Sequence, residues 1–413
     1  MANEIELKLA LPPDALPALR SHPLIAACTP QGRPVTLDNT YYDTVDLALR
    51  RHRIAVRTRK AGRRMLQTVK AAAVSTGGLS SRPEWEQPFS GGFDFSAVDD
   101  PAIREQLERH AAALVPVFTT RFRRETRLRA QGADTRVLVM IDHGTVVAGE
   151  HESPICELEL ELVEGHPLDL IDFALRLAED LPLRPDDVSK AERGFALHLG
   201  TTLRPLHVEP SALRPDMTPA DAFRSLAFAA FRAWQGNLPH VTGKDADGFI
   251  RAFRAAQRRL RARIGLFAPV LPEDFAARWR KALRDGAARF AGLNALEALR
   301  ETVLAPARKA GAEHAAALER LLDHVDAERA RTRAQAMASF DPDAQGRMLL
   351  ALMRDLLTLP AAGRAHAADL SGFAGRASPA RPACARCGVR SGACALRPRT
   401  SPRCCPRRPS RAI

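Results

Sequence analysis

The chain has 413 residues, 46% of them apolar, and a formal charge of +13 at pH 7. That length suits two or three domains of about 150 residues, and the apolar content suits real cores rather than wholesale disorder. The longest apolar runs, such as Leu349 to Met353, fall far short of the ~20 residues of a membrane span, and Met1 to Glu6 holds no apolar signal core. A soluble cytoplasmic protein with no membrane contact is the default expectation.

The positive charge is not spread evenly. Gly375 to Ile413 holds ten Arg and no Lys, Asp or Glu, which leaves about +3 for everything before it. With aromatic residues at only 5%, few rings are available for base stacking, and no specific nucleic-acid partner is expected.

In chain order, residues 1–203 alternate like strands at Glu4–Leu9, Ile54–Arg59, Leu66–Lys70, Arg136–Ile141 and Ile155–Leu162. Helical patterns appear near Pro13–Ser21, Ala102–Ala113 and Leu168–Asp180. Residues 204–216, rich in Pro, read as a linker. Residues 217–365 read as an all-α domain that opens on Thr218-Pro219-Ala220-Asp221, with Thr as N-cap, Pro at the first helical position and Gly236 as a stop. Further helices are expected at Asp245–Phe267, Glu273–Phe290, Asn294–Ala305, Glu313–Ser339 and Pro342–Leu359. Residues 366–413 repeat Arg, Pro, Ala, Cys and Ser without an apolar period. They read as a disordered tail or an altered reading frame, and the abrupt change of composition within a helical domain favours the second. Cys384 and Cys387 have the spacing of half a zinc site, but the cysteines beyond them match no common zinc module.

The charged strands are the informative part. In Glu4-Ile-Glu6-Leu-Lys8-Leu the charged residues share one strand face and the apolar residues the other, as in any half-buried strand. The pattern then recurs. Arg57 and Arg59 alternate with Val56 and Thr58, and Arg82, Glu84 and Glu86 with Pro83 and Trp85. The strand from Arg136 ends on Asp142. Glu157, Glu159 and Glu161 line one face of a single strand with no cation among them, and like charges at such spacings repel. Three of the seven Lys in this Arg-rich chain, Lys8, Lys70 and Lys190, lie in or beside these segments. A compact ammonium suits phosphate. Closed into a barrel with this face inward, the strands enclose a charged lumen where most small barrels are packed with apolar side chains. A polyphosphate with a divalent metal engages both signs of charge. Trp85 and the Tyr41–Tyr42 pair are expected to pack on the outer face, and His52, His143 and His151 to lie on the surface. No P-loop and no Ser-His-Asp or Cys-His nucleophile is present.

These residues resemble the CYTH, or triphosphate tunnel metalloenzyme, family. Glu4-Ile-Glu6-Leu-Lys8 looks like its ExExK signature. Asn39-Thr-Tyr-Tyr-Asp43, Arg57-Thr-Arg59, Gln67-Thr-Val-Lys70, Arg82-Pro-Glu84, the basic strand Phe118–Arg124, Asp142, the Glu157–Glu161 run and Ser189-Lys190 follow in the expected order. The resemblance implies an α+β domain built on an eight-stranded antiparallel β-barrel tunnel. It implies that Glu4, Glu6, Asp142, Glu157, Glu159 and Glu161 hold Mg²⁺ or Mn²⁺. Phosphates would be held by Lys8, Arg57, Arg59, Lys70, Arg124 (chosen over Arg121 and Arg123) and Lys190. The catalytic set would be Glu4, Glu6, Lys8 and Glu84. The implied reaction is metal-assisted hydrolysis of the terminal phosphoryl group of inorganic triphosphate or a related compound. Two alternatives stand beside it: an adenylate cyclase using the same tunnel, and a non-catalytic polyphosphate-binding protein.

The helical half resembles the CHAD domain, which often follows CYTH, through Arg251-Ala-Phe-Arg254-Ala-Ala-Gln-Arg258-Arg259-Leu260-Arg261. Arg251 stands where that family usually has His, and the domain reads as shorter than usual. Arg251, Arg254, Arg258 and Arg261 fall on one helical face, which suits a polyanion such as polyphosphate or an ordinary solvated surface.

Overall fold

A computed structural model describes residues 3–71, 74–132, 134–243, 246–310 and 315–359. The expectations for residues 366–413, including the Cys384–Cys387 pair, lie outside the described residues. Eight long strands form the barrel of the N-terminal half: β1 Asn3–Ala10, β2 Val35–Asp43, β3 Ala55–Ala61, β4 Arg64–Lys70, β5 Leu79–Pro88, β6 Val115–Gln131, β7 Thr135–Ala148 and β8 His151–Glu164; three strands of two or three residues flank them. They pair in the order β1-β8-β7-β6-β2-β3-β4-β5, and β5 returns to pair with β1. Every pairing is antiparallel, so the sheet closes into a barrel with no free edge among these eight.

The alternation read from the sequence decides which face goes inward. Leu7 and Leu9 of β1, Leu158 and Leu160 of β8 and Val137, Val139 and Ile141 of β7 point outward and are buried beneath helices. One cover is α2 (Pro167–Leu177, after α1 at Pro101–His110), whose Leu170, Ile171, Phe173, Ala174 and Leu177 are all buried. Fully burying each of the Leu, Ile and Phe side chains contributes about 1.5–3 kcal/mol. The charged residues of the same strands are thereby left facing the lumen.

Helix α3 (Lys190–His198) lies across β6, β7 and β8. Ser189 caps it by accepting from the Glu192 amide, and Glu192 accepts from the Ser189 amide in return. Gly194 permits its close approach: a Cβ there would lie 2.0 Å from the Phe118 ring.

The helical half contains α4 (Pro219–Asn237), α5 (Asp247–Phe267), α6 (Glu273–Ala288), α7 (Ala315–Ala338) and α8 (Pro342–Thr358). Thr218 caps α4 through the Asp221 amide, as the sequence predicts. Gly236 does not stop the helix, which runs on to Asn237 and then a 3₁₀ turn. Its role is space: a Cβ would sit 2.3 Å from Leu206 Cδ1. The linker is thus docked on α4, where the Asn237 side chain exchanges hydrogen bonds with the Leu206 amide (3.0 Å) and carbonyl (2.8 Å). The helix expected at Asn294–Ala305 is instead α-helical over Ala291–Ala298 and π-helical over Leu299–Leu304. Pro306, which cannot donate to an α-helical ladder, follows at once.

One apolar cluster runs from Leu7, Leu158 and Phe173 on the barrel side to Phe231, Trp234, Phe253 and Met353 in the helices. The two halves therefore share a core. Among the described residues no helix is long and apolar enough to cross a membrane.

Candidate active site in the barrel lumen

The lumen is a cavity of about 1240 Å³. Of the residues singled out from the sequence, Glu4, Glu6, Lys8, Arg57, Arg59, Lys70, Glu84, Arg124, Glu159, Glu161 and Lys190 line it. Asp142 and Glu157 do not; both are fully buried. Strand register explains the grouping. Glu6 lies opposite Glu161 and Lys8 opposite Glu159 across β1 and β8, while Lys70 lies opposite Glu84 across β4 and β5. Phe122 and Arg124 of β6 both line the cavity, so Arg121 and Arg123, which alternate with them, are on the exposed outer face.

The lining is built from several ion-pair groups. Lys70 bridges Glu84 and Glu4, the latter at 3.4 Å. Arg57 is 3.7 Å from Glu84, and Arg59 is 3.7 Å from Glu86 with its Nε donating to Asn39 Oδ1 at 3.0 Å. Arg82 holds Glu6 at 2.6 Å, and Ser80 donates to the same oxygen at 3.2 Å. Arg124 grips Asp142 with two bonds of 2.8 and 2.6 Å and also reaches Glu159. Lys190 contacts Asp142 at 2.8 Å, Glu159 at 2.9 Å and Glu157, which is in turn held by Arg193 at 2.9 Å. Lys8 has no carboxylate partner among the described residues and donates to the Val188 carbonyl.

Such an interior is not a stability device, because burying ion pairs costs desolvation that apolar packing would avoid. It is a set of charges held ready. Burial pushes the Glu4 carboxyl up, and its hydrogen bond with Glu84 adds to this, to about 8. Burial also raises Glu161, helped by the Glu6 charge beside it. Burial acts on Glu159 in the same direction, but Lys190 and Arg124 outweigh it and hold the carboxyl well below the usual range. Arg59 is lowered to about 10 by burial and by neighbouring Arg57 and Arg124.

Their partners decide which carboxylates fit a divalent cation. Asp142, Glu157 and Glu159 offer oxygens within 4.8 Å of one another. Yet the Lys190 ammonium already bridges all three, so a cation's place among them is filled by the protein itself. Glu161 has no cation in ion-pair range among the described residues; beside it on β1, Glu4 and Glu6 share Arg82 (3.8 and 2.6 Å), and Glu4 shares Lys70 with Glu84. Oxygen donors of this kind suit a hard divalent ion. On the cationic side, the buried Arg57 Nε has no hydrogen-bond partner among the described residues and wants an anionic acceptor.

Comparison with known proteins agrees with this geometry. The CYTH domain family model matches residues 2–195, and that of the CHAD domain matches residues 225–393. The chain thus carries a region that matches the CYTH domain followed by one that matches the CHAD domain. The CYTH half is similar to a protein of Haemophilus influenzae named inorganic triphosphatase, at 33% identity over 202 residues. That match covers 48% of this chain and 55% of the relative, so the chain spans about half the length of the curated relative it matches. Solved structures similar to the CYTH half include an adenylyl cyclase from Hippeastrum described as having a dominant triphosphatase activity (18% identity, 48% of this chain and 97% of that one, TM-score 0.36). Another is the Mimivirus capping enzyme triphosphatase (10% identity, 42% and 87%, TM-score 0.27).

Within the CYTH domain, Tyr41 corrects the sequence reading. It lines the lumen rather than the outer face, opposite Arg57 in the β2–β3 register and stacked on Phe118 with centroids 4.5 Å apart. Tyr42 does face outward, edge-on to Phe93, as does Trp85, which donates to Asp99. The period of two contained this answer, since Asn39 and Tyr41 must share a face. Ser80 and Arg193 were given no role in the sequence reading; Arg82, read there on the charged strand face, is the partner of Glu6. In the CHAD domain the α5 arginines do not form one open stripe. Arg251 and Arg258 are exposed, Arg261 is half-buried, and Arg254 is buried against Glu297 (3.2 Å) and the Phe290 ring.

Proposed function

We propose that this protein is a divalent-metal-dependent triphosphatase that hydrolyses the terminal phosphoanhydride of inorganic triphosphate. The observation that carries the reading is the closed barrel whose inner wall interleaves carboxylates and cations, with Glu161 unpaired among the described residues beside Glu4 and Glu6, which share Arg82, and with Arg57 Nε short of an acceptor. A pure anion binder has no use for those carboxylates, which repel phosphate unless a metal lies between.

In this reading Glu4, Glu6 and Glu161 hold Mg²⁺ or Mn²⁺, which supplies charge neutralisation along the phosphate chain. Arg57, Arg59, Lys70 and Arg124 bind phosphate oxygens, exchanging carboxylate partners for substrate, while Lys8 adds a point charge. Glu84 holds Lys70 and Arg57 in place. Lys190 keeps Glu159 ionised and oriented. The closed wall excludes bulk water, which strengthens each of these contacts. The similarity to the protein named inorganic triphosphatase supports this substrate.

Phosphate release by the full chain tests it, with inorganic triphosphate, ATP and thiamine triphosphate compared in Mg²⁺, Mn²⁺ and excess EDTA. Metal-dependent turnover strongest on inorganic triphosphate is expected. Cyclic AMP formed from ATP would replace this reading with a cyclase. Tight polyphosphate binding without turnover would replace it with a binding protein.

A further inference from the structure

The lumen is not lined by the CYTH domain alone. Arg232 of α4, in the CHAD domain, also lines it. Its position follows from the turn at Gly77-Gly78. A Cβ on Gly78 would lie 2.3 Å from the Lys8 carbonyl, and one on Gly77 would lie 2.2 Å from Met353 Sδ and 3.2 Å from the Phe231 ring. The turn therefore bridges the end of β1 to α4 and α8, and Arg232 follows Phe231 at that mouth. Both glycines have positive φ, and the Asp187 carboxylate fixes the turn by accepting from the Gly78 amide at 2.8 Å and from Ser75 Oγ at 2.5 Å. The shared apolar core holds α4 in register with the barrel.

Charge pairing differs between the lumen and this mouth. Deep inside, Arg57, Lys70, Arg82, Arg124 and Lys190 each have a carboxylate. At the mouth, Arg232 and Arg50 have none among the described residues, while the acids nearby are engaged elsewhere: Asp186 with Arg193, Asp187 with the glycine turn and Glu192 with the Ser189 amide. The cavity, at about 1240 Å³, also exceeds the usual range of about 300–1000 Å³ for a small-molecule site. There is room for an anion that continues past the inner cations.

We propose that Arg232, supplied by the CHAD domain, completes the tunnel mouth and binds the outermost phosphate of a linear phosphoanhydride longer than triphosphate. The inference rests on the triphosphatase reading for where the inner phosphates sit. It makes the helical domain a determinant of chain-length preference at the barrel's own site.

The test compares the full chain with Arg232→Ala and Arg232→Lys, using inorganic triphosphate and inorganic tetraphosphate with Mg²⁺. In Arg232→Ala the KM for tetraphosphate rises about fivefold, the size of one solvent-exposed charge contact, and that for triphosphate rises by less than about twofold. Arg232→Lys recovers most of the difference. Titration calorimetry of tetraphosphate into Ca²⁺-loaded protein reads the same contact as an affinity, and Arg232→Ala weakens it. Equal changes for both anions, or no change for either, overturn the proposal, as does wild-type protein that fails to bind tetraphosphate. Wild-type protein that binds but does not hydrolyse, with binding still weakened in Arg232→Ala, sinks the hydrolase and leaves the contact standing.

Discussion

Glu6 of β1 stands directly opposite Glu161 of β8 on the inner wall of the barrel. Like charges in that relationship repel, and Arg82 pairs with Glu6 and Glu4 but not with Glu161. A divalent cation between them resolves the conflict. Glu161→Gln is therefore expected to lower metal-dependent phosphate release by about a hundredfold, the scale of losing a metal contact. The metal-free variant should melt no lower than wild type. Turnover within twofold of wild type at limiting metal would remove Glu161 from the metal site.

The Glu4 carboxyl, raised to about 8 from its ordinary 4.5 mainly by burial, gives the metal-free protein a pH signature. The folded state holds this proton more tightly than the unfolded chain does. Its contribution to stability is thus complete below the unfolded pKa and is lost as pH rises from about 4.5 toward 8. In EDTA the melting temperature should fall across that window, and Glu4→Gln should flatten the slope. Divalent metal should reverse the fall, because it replaces the proton. A slope identical in wild type and Glu4→Gln would assign the effect to other groups.

Much of this site was legible in the sequence because a strand has a period of two. Once Glu4, Glu6 and Lys8 share a face, so do Ile5, Leu7 and Leu9, and the large apolar payload decides which face is covered by helices. Arg124 could be separated from Arg121 and Arg123 only through register with its neighbours. Tyr41 was misread because an aromatic ring beside another is ordinarily packing, and its partner Arg57 lies on a different strand. Arg232 carries no local signal at all: a lone Arg on an amphipathic helix becomes a lumen residue only through the docking of two domains. The filling of the Asp142–Glu157–Glu159 cluster by Lys190 was equally hidden, since Lys190 follows those acids by a helix and two loops.

That filling makes Lys190 a structural cation with a measurable role. Burial disfavours its charge, yet Asp142, Glu157 and Glu159 outweigh the effect and raise its pKa. Lys190→Met leaves two fully buried carboxylates, Asp142 and Glu157, short of their ammonium partner. Breaking a buried pair in this way costs about 3–5 kcal/mol. Chemical denaturation at pH 7 should show a loss of that order. A loss below about 1 kcal/mol would mean that Arg124 and Arg193 carry the cluster without Lys190.

The Gly77 turn tests how far the two domains act as one body. Gly77 has φ +71, and a Cβ there would lie 2.2 Å from Met353 Sδ of α8. Gly77→Ala adds backbone strain of about 1–3 kcal/mol to this clash. Because Gly78 lies against the Lys8 carbonyl, displacement of the turn is transmitted to the phosphate-binding end of β1. The variant should lower both stability and the catalytic constant for triphosphate. Shortening the opposing side chain separates the two causes: Gly77→Ala with Met353→Ala relieves the clash but not the φ penalty. It should therefore recover part of the catalytic loss, although Met353→Ala alone opens a cavity and costs stability. If Gly77→Ala melts earlier yet turns over triphosphate at the wild-type rate, the helical domain supports the barrel without shaping its lumen.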